Sequence, residues 1–328
     1  MLKTLLACCL ALMCTVQCHA AGFQSLAIPY QAGTTIQLAL WYPSAAPTAR
    51  RDMGMFTQDV ASDAPVLGTD LPLVIISHGS GGYAYTHYDT ALALADAGFV
   101  VAALTHPGDN YQDRSRAADI LARPAQVSAV IDYLLRDWDR HAALAPGRIG
   151  IFGHSSGGFT ALVSAGGIPD LTRVAAHCKT HAADFACAVA AQAPPSLSAP
   201  APATLRDARI KAAVIAAPAL GFTFDPAGLR TLRLPVQLWR AENDVLLPHP
   251  WYAEAVRNAL PVAPEYHVVV GAGHFDFLPP CSDRLARIAA PICTGQAGFD
   301  RAAFHREFNA AVVAFFGKAL AAPRRDQP

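Results

Sequence analysis

Gly153-His154-Ser155-Ser156-Gly157 is a Gly-x-Ser-x-Gly run that closes a short apolar stretch, "RIGIFGHS" (148–155). A serine on such a strand-to-helix turn has its hydroxyl lifted above the sheet edge, and the flanking glycines let the backbones pass closely. The spacing singles out Ser155 as a nucleophile. For Ser156 to take the central place a glycine would be needed at 154, where His154 stands. Ser156 has another use: its backbone N–H, at a helix start just after the nucleophile, can point at a developing oxyanion.

A serine hydroxyl is a poor nucleophile without a base, and the base needs a carboxylate to orient it. In this arrangement the acid and then the histidine follow the serine in the chain. Of twelve histidines, His249, His267, His274 and His305 come late enough. His267 falls inside an apolar strand pattern, His305 inside a helix, and His249 at a helix start. His274, in "GAGHFDF", follows the last strand on a glycine-rich loop and is the expected base. Asp244, closing "LWRAEND", is the favoured acid; Glu242, Asp225 and Asp276 are the other carboxylates near these loops. A second oxyanion donor should come from His78-Gly79-Ser80-Gly81-Gly82, and Ser80 is the expected residue.

Positioning these groups requires strands that end together. "TTIQLALWYP" (34–43) reads as an amphipathic strand. "LPLVIISHG" (71–79), "FVVAALTH" (99–106), 148–155, "IKAAVIAAP" (210–218), "PVQLWRAEND" (235–244) and "EYHVVVGAGH" (265–274) are nearly continuous apolar runs. Such runs suit a parallel sheet covered on both faces. Helical patterns separate them at 87–98, 124–138, after Ser156, at 250–260 and at 301–320. The alternation specifies a doubly wound, mostly parallel α/β sheet. Residues 44–70 look like a surface excursion. Residues 167–208 are too long for a simple connection and are a candidate lid insertion. No internal repeat or second core appears, so 21–328 reads as a single domain. Tyr83, Tyr85, Phe159, Phe222 and Phe224 stand near the loops, as acyl-pocket or core residues. "HPGDN" (106–110) follows a strand at the same edge, where it either shapes the site or makes a tight turn.

Composition sets the compartment and excludes some partners. The 328 residues are 53% hydrophobic and 15% charged, with zero formal net charge and no basic run. That argues against a nucleic-acid partner. Residues 1–20 carry Lys3, an apolar run of about a dozen residues, and small residues before a cut after Ala20, as a secretory signal peptide does. The run is too short for the ~20 residues a bilayer needs, so no transmembrane segment is expected in the mature chain. A periplasmic or secreted location follows. Four cysteines remain after cleavage: Cys178, Cys187, Cys281 and Cys293. In an oxidising compartment they pair, and the short loops favour Cys178–Cys187 and Cys281–Cys293. The second bridge is expected to hold the His274 loop. "HCKTH" (177–181) offers zinc as an alternative, but its spacing fits no common zinc pattern.

Taken together, "SHGSGG", "THPGDN", "GHSSGG", "RAENDVLLP" and "GAGHFDF" resemble the bacterial secreted α/β-hydrolases described as predicted dienelactone hydrolases, relatives of the platelet-activating-factor acetylhydrolase family. The resemblance spans nearly all of the mature chain. It implies an α/β-hydrolase fold and ester hydrolysis by Ser155, Asp244 and His274, with the N–H groups of Ser80 and Ser156 as oxyanion hole. No metal or organic cofactor is implied. The expected substrate is a small-molecule or lipid-like ester of short acyl or small size. The sequence departs from both relatives. The plasma acetylhydrolases carry their acid after the strand that here reads "IKAAVIAAPAL", where no Asp stands; the true dienelactone hydrolases use a cysteine where Ser155 stands. The family names therefore do not specify a substrate. An acyltransferase, thioesterase or peptidase would use the same triad. A non-catalytic binding protein of this fold would be expected to have lost Ser155 or His274.

Overall fold

The computed structural model describes residues 20–31, 33–191 and 205–322. The proposed leader, apart from Ala20, lies outside the described residues, as does part of the 167–208 insertion.

The unbroken apolar runs form the parallel part of a sheet. β5 (Leu71–Ser77), β6 (Val100–Thr105), β7 (Leu144–His154), β8 (Ile210–Ala216), β9 (Val236–Ala241) and β10 (Glu265–Val269) pair in parallel. β1 (Ala20–Pro29) and β2 (Thr35–Ser44) form an antiparallel pair, and β3 (Ala49–Asp52) and β4 (Thr57–Ser62) another. The full order is β10-β9-β8-β7-β5-β6-β2-β1-β4-β3.

Both faces of the sheet are covered, which is why its strands lack alternation. Along β5, Leu73 and Ile75 enter one core while Val74 and Ile76 enter the other. The first core is closed by Val127 and Val130 of α2 (Arg123–Arg136), Leu162 of α3 (Ser156–Ser164) and Val256 of α7 (Ala253–Ala259). The second is closed by Leu94 of α1 (Tyr88–Asp96) and by Phe308 and Phe316 of α10 (Arg301–Ala319). Each such side chain contributes ~1.5–3 kcal/mol when fully buried.

Residues 44–70, expected as a surface excursion, contain two strands, β3 and β4. β3 is the edge strand and β4 lies beside it; Val60 and Ala61 are buried, but Arg50 and Asp59 pair across the exposed side. Charges on a half-solvated edge erase the apolar pattern that a sequence reading relies on. The helix expected at 250 begins at Ala253, and His249 lies in the preceding turn.

The connections set the site. β5 leads through α1 to β6 on one side, while β7 leads through α3 to β8 on the other. The loops after β5 and β7 therefore diverge at the carboxyl ends of adjacent strands, which opens a crevice there.

Candidate active site

Ser155 stands at the end of β7 with φ 57° and ψ −120°, a conformation that non-glycine residues rarely adopt. The surroundings hold it there. Its N–H donates to Ala216 O (2.9 Å), and its carbonyl accepts from Ala219 N (2.9 Å) and Phe159 N (3.1 Å). The turn also needs its glycines. A Cβ on Gly157 would lie 1.9 Å from Ser77 O, and one on Gly153 would lie 2.0 Å from Gly157 O. Any side chain at either position would push α3 off the sheet.

His274 follows β10 and Asp244 follows β9. The His274 Nδ1–H donates to Asp244 Oδ2 at 2.7 Å, and both side chains are buried. Asp244 Oδ1 accepts the N–H groups of Leu246 (3.0 Å) and Leu247 (2.8 Å), which fixes the carboxylate. With Nδ1 committed, Nε2 is the ring's free base position. Ser155 and His274 line the same cavity. The other three carboxylates bond elsewhere. Glu242 accepts from Gly271 N, Asp225 caps a short helix at Gly228 N, and Asp276 accepts from Gly273 N and Arg301 Nε.

The glycine loop after β5 runs beside Ser155: a Cβ on Gly79 would lie 3.2 Å from Ser155 Cβ. Among the described residues, neither the Ser80 N–H nor the Ser156 N–H has a protein acceptor. The His154 ring lies 4.8 Å from that of His274. Burial drives His154 well below the ordinary histidine pKa, and the neighbouring His274 pushes it the same way.

Residues 30–130 match the family model for platelet-activating factor acetylhydrolase, isoform II. The chain has an α/β-hydrolase fold, and its residues 30–130 are similar to the platelet-activating-factor acetylhydrolases. The matched stretch holds the Ser80 loop but ends before Ser155, Asp244 and His274. A solved ferulic acid esterase from Streptomyces cinnamoneus has the same fold, with a TM-score of 0.63 at 22% identity, over 94% of this chain and 93% of its own. No match was found among curated proteins.

The cavity that holds Ser155 and His274 has a volume of about 640 Å³, and among the described residues no acidic side chain lines it. Three walls rise around the floor that holds these two residues. One is aromatic. Phe56, from the β3–β4 connection, stacks on Tyr88 at 3.7 Å, and Tyr83 and Tyr85 continue the surface. Burial pushes the Tyr83 hydroxyl up to about 12. A second wall brings Val174 from α4 (Arg173–Thr180) and Phe185 and Val189 from α5 (Phe185–Ala191), helices joined by Cys178–Cys187. The third spans 278–292 and contains α8 (Asp283–Ile288) and α9 (Ala290–Cys293), closed by Cys281–Cys293.

Both expected disulfides are present, so Cys178 and Cys187 offer no thiolate to a metal. The described part of the 167–208 insertion lies over the cavity. Tyr83 and Tyr85 line it, but Phe159, Phe222 and Phe224 belong to the core below. They pack in the core closed by α2, α3 and α7, a distinction that proximity in sequence does not carry. No described helix is long and apolar enough to cross a membrane.

Sequence reasoning missed the charges beneath the Ser80 loop. Arg123 and Asp109, 2% and 3% exposed, form an ion pair with Nη2 3.2 Å from Oδ2, at an angle that falls short of a hydrogen bond. "HPGDN" was the signal: Asp109 sits in that turn.

Proposed function

We propose that the chain is a serine ester hydrolase using Ser155, His274 and Asp244. The observation that carries this reading is the 2.7 Å His274–Asp244 hydrogen bond in the cavity that also holds Ser155 on its strained turn. Ser155 Oγ attacks the ester carbonyl carbon and its proton passes to His274 Nε2. Asp244 stabilises the resulting imidazolium. The carbonyl oxygen, now an anion, accepts from the N–H groups of Ser80 and Ser156; one such donor is typically worth ~3–4 kcal/mol of barrier. Collapse of the tetrahedral intermediate expels the alcohol, which takes the proton from His274. Water, activated by the same ring, then releases the acid and restores Ser155.

Short-acyl and small esters remain the expected substrates. The aromatic wall favours a second group, aryl esters such as those of ferulic acid, for which the Streptomyces neighbour is named. The single-domain reading from Ala21 onward is retained, with 167–208 as lid. Export is retained too, and the two disulfides support it.

The test compares the chain from Ala21 with its Ser155→Ala variant on p-nitrophenyl esters from acetyl to palmitoyl and on methyl ferulate. The native protein is expected to turn over at least one series, and the variant to lose nearly all activity. Equal rates from both proteins, or none from either, would sink the reading.

A further inference from the structure

Two opposite charges buried together are costly, and well-packed apolar residues in their place are often neutral or stabilising. The Asp109–Arg123 pair therefore calls for an account other than stability. Its contacts supply one. Asp109 Oδ1 accepts from Ser80 Oγ (2.8 Å) and from Gly81 N (3.1 Å), while Arg123 Nη1 donates to His78 O (2.9 Å). The pair thus grips the glycine loop on both sides of the Gly79–Ser80 peptide.

The peptide itself is pinned from behind. Gly79 O accepts from His78 Nδ1 (2.6 Å) and from Gly82 N (3.0 Å). His78 Nε2 accepts from His106 N (3.0 Å), which fixes that tautomer. In a trans peptide the C=O and N–H point in opposite directions. Holding Gly79 O against His78 and Gly82 therefore turns the Ser80 N–H away from them, and among the described residues it has no protein acceptor, while Gly79 itself borders Ser155.

We infer that Asp109 and Arg123 are positioning residues that aim the Ser80 N–H at the oxyanion. This rests on the ester-hydrolase reading above. Burial lowers the Arg123 pKa to about 10 against the raising effect of Asp109, so the guanidinium stays charged at neutral pH. A group that aims an oxyanion donor acts in the transition state and leaves ground-state binding alone.

The experiment uses Asp109→Asn and Ser80→Ala in the chain from Ala21, with the native chain and Ser155→Ala as references. The readouts are kcat, KM and inhibition by an alkyl trifluoromethyl ketone. Ser155 Oγ adds to the ketone carbonyl, its proton goes to His274, and the alkoxide is left in the oxyanion position.

Asp109→Asn is expected to lower kcat at least about tenfold, a fraction of the ~10²–10³ that loss of a donor costs, and to weaken the ketone by the same factor. KM should stay within about twofold, as expected when only transition-state binding is lost. Ser80→Ala deletes a single hydroxyl and keeps the backbone, and it should cause a smaller parallel loss of several-fold. If Asp109→Asn does not fold, Ser80→Ala decides alone. A folded variant with unchanged ketone affinity, or a kcat loss that the ketone does not follow, overturns the inference. If the native chain hydrolyses no ester at all, the functional reading fails instead.

Discussion

Ser155, Asp244 and His274 stand on turns that follow β7, β9 and β10, strands bonded on into the sheet, and the Asp244 and His274 side chains are buried. The walls around them are built differently. β3, α8 and α9 bury almost nothing in either core, and Phe185, Tyr111 and Ile288 at the cavity are 41%, 61% and 66% exposed. The floor is over-determined by packing and hydrogen bonds. The second and third walls are short helices, each braced by a disulfide. This separates the two tasks of a hydrolase: barrier lowering depends on the rigid part, and substrate choice on the part that can change without unfolding the sheet.

The largest effect should come from the floor. Asp244→Asn leaves a group of the same shape, but its amide cannot both accept the Nδ1 proton and stabilise the imidazolium. By analogy with serine hydrolases in general, kcat should fall about 10⁴-fold with KM nearly unchanged. Steady-state kinetics on the best ester of the panel reads this directly. A loss under about tenfold would remove Asp244 from the mechanism and weaken the contrast, since a wall residue could cost as much.

Acid should also strike the floor first. His78, His87, His106 and His154 are fully buried, and burial is the leading cause that holds each below its ordinary pKa, His87 down to about 3. The depressed folded pKa means that the unfolded chain takes up protons which the native state refuses. Stability is thus full above about pH 6.5 and falls as pH drops below it, by ~1.4 kcal/mol per pH unit for each histidine. With several acting together, Tm should drop steeply between pH 7 and pH 5. A flat Tm across that range would mean that the floor is not dry. Variants confined to the walls should leave the slope as it is.

The same division governs what could be read from the sequence. Ser155, its glycines and Asp244 were legible because they follow β7 and β9, and buried strands announce themselves as apolar runs. His274 follows β10, a half-exposed edge strand, and was legible from the glycines around it in "GAGHFDF". Ser80 was legible because glycines cluster where backbones converge. The Asp109–Arg123 pair was not. Arg123 opens a helix next to Pro124, a place where charges are ordinarily solvated, and nothing local marks it as buried. β3 and β4 were hidden because exposed edge charges break their alternation. Phe159, Phe222 and Phe224 stand next to site loops in sequence, but Phe159 is in α3 and the other two follow β8 in a short turn, and all three point into the core.

The smallest effect on chemistry, and the sharpest test of the contrast, lies at Cys281–Cys293. The bridge was expected to steady the His274 loop, yet that loop has its own fastenings. Asp276 takes Gly273 N (2.8 Å) and Arg301 Nε (2.9 Å), and the His305 Nε2–H donates to Asp276 O (3.0 Å). The bridged segment instead reaches across the cavity. Arg284 Nη1 donates to Gly54 O (2.8 Å), and Ser282 Oγ donates to Met55 O, so the third wall closes on the aromatic one. Cys281→Ser with Cys293→Ser should therefore destabilise the fold by ~2–4 kcal/mol. KM for long-chain or aryl esters should rise several-fold, while kcat for the acetyl ester changes less than about twofold, because only uniform binding is lost. Equal losses of kcat on acetyl and bulky esters would mean that the bridge acts through His274 after all, and that this wall belongs to the floor.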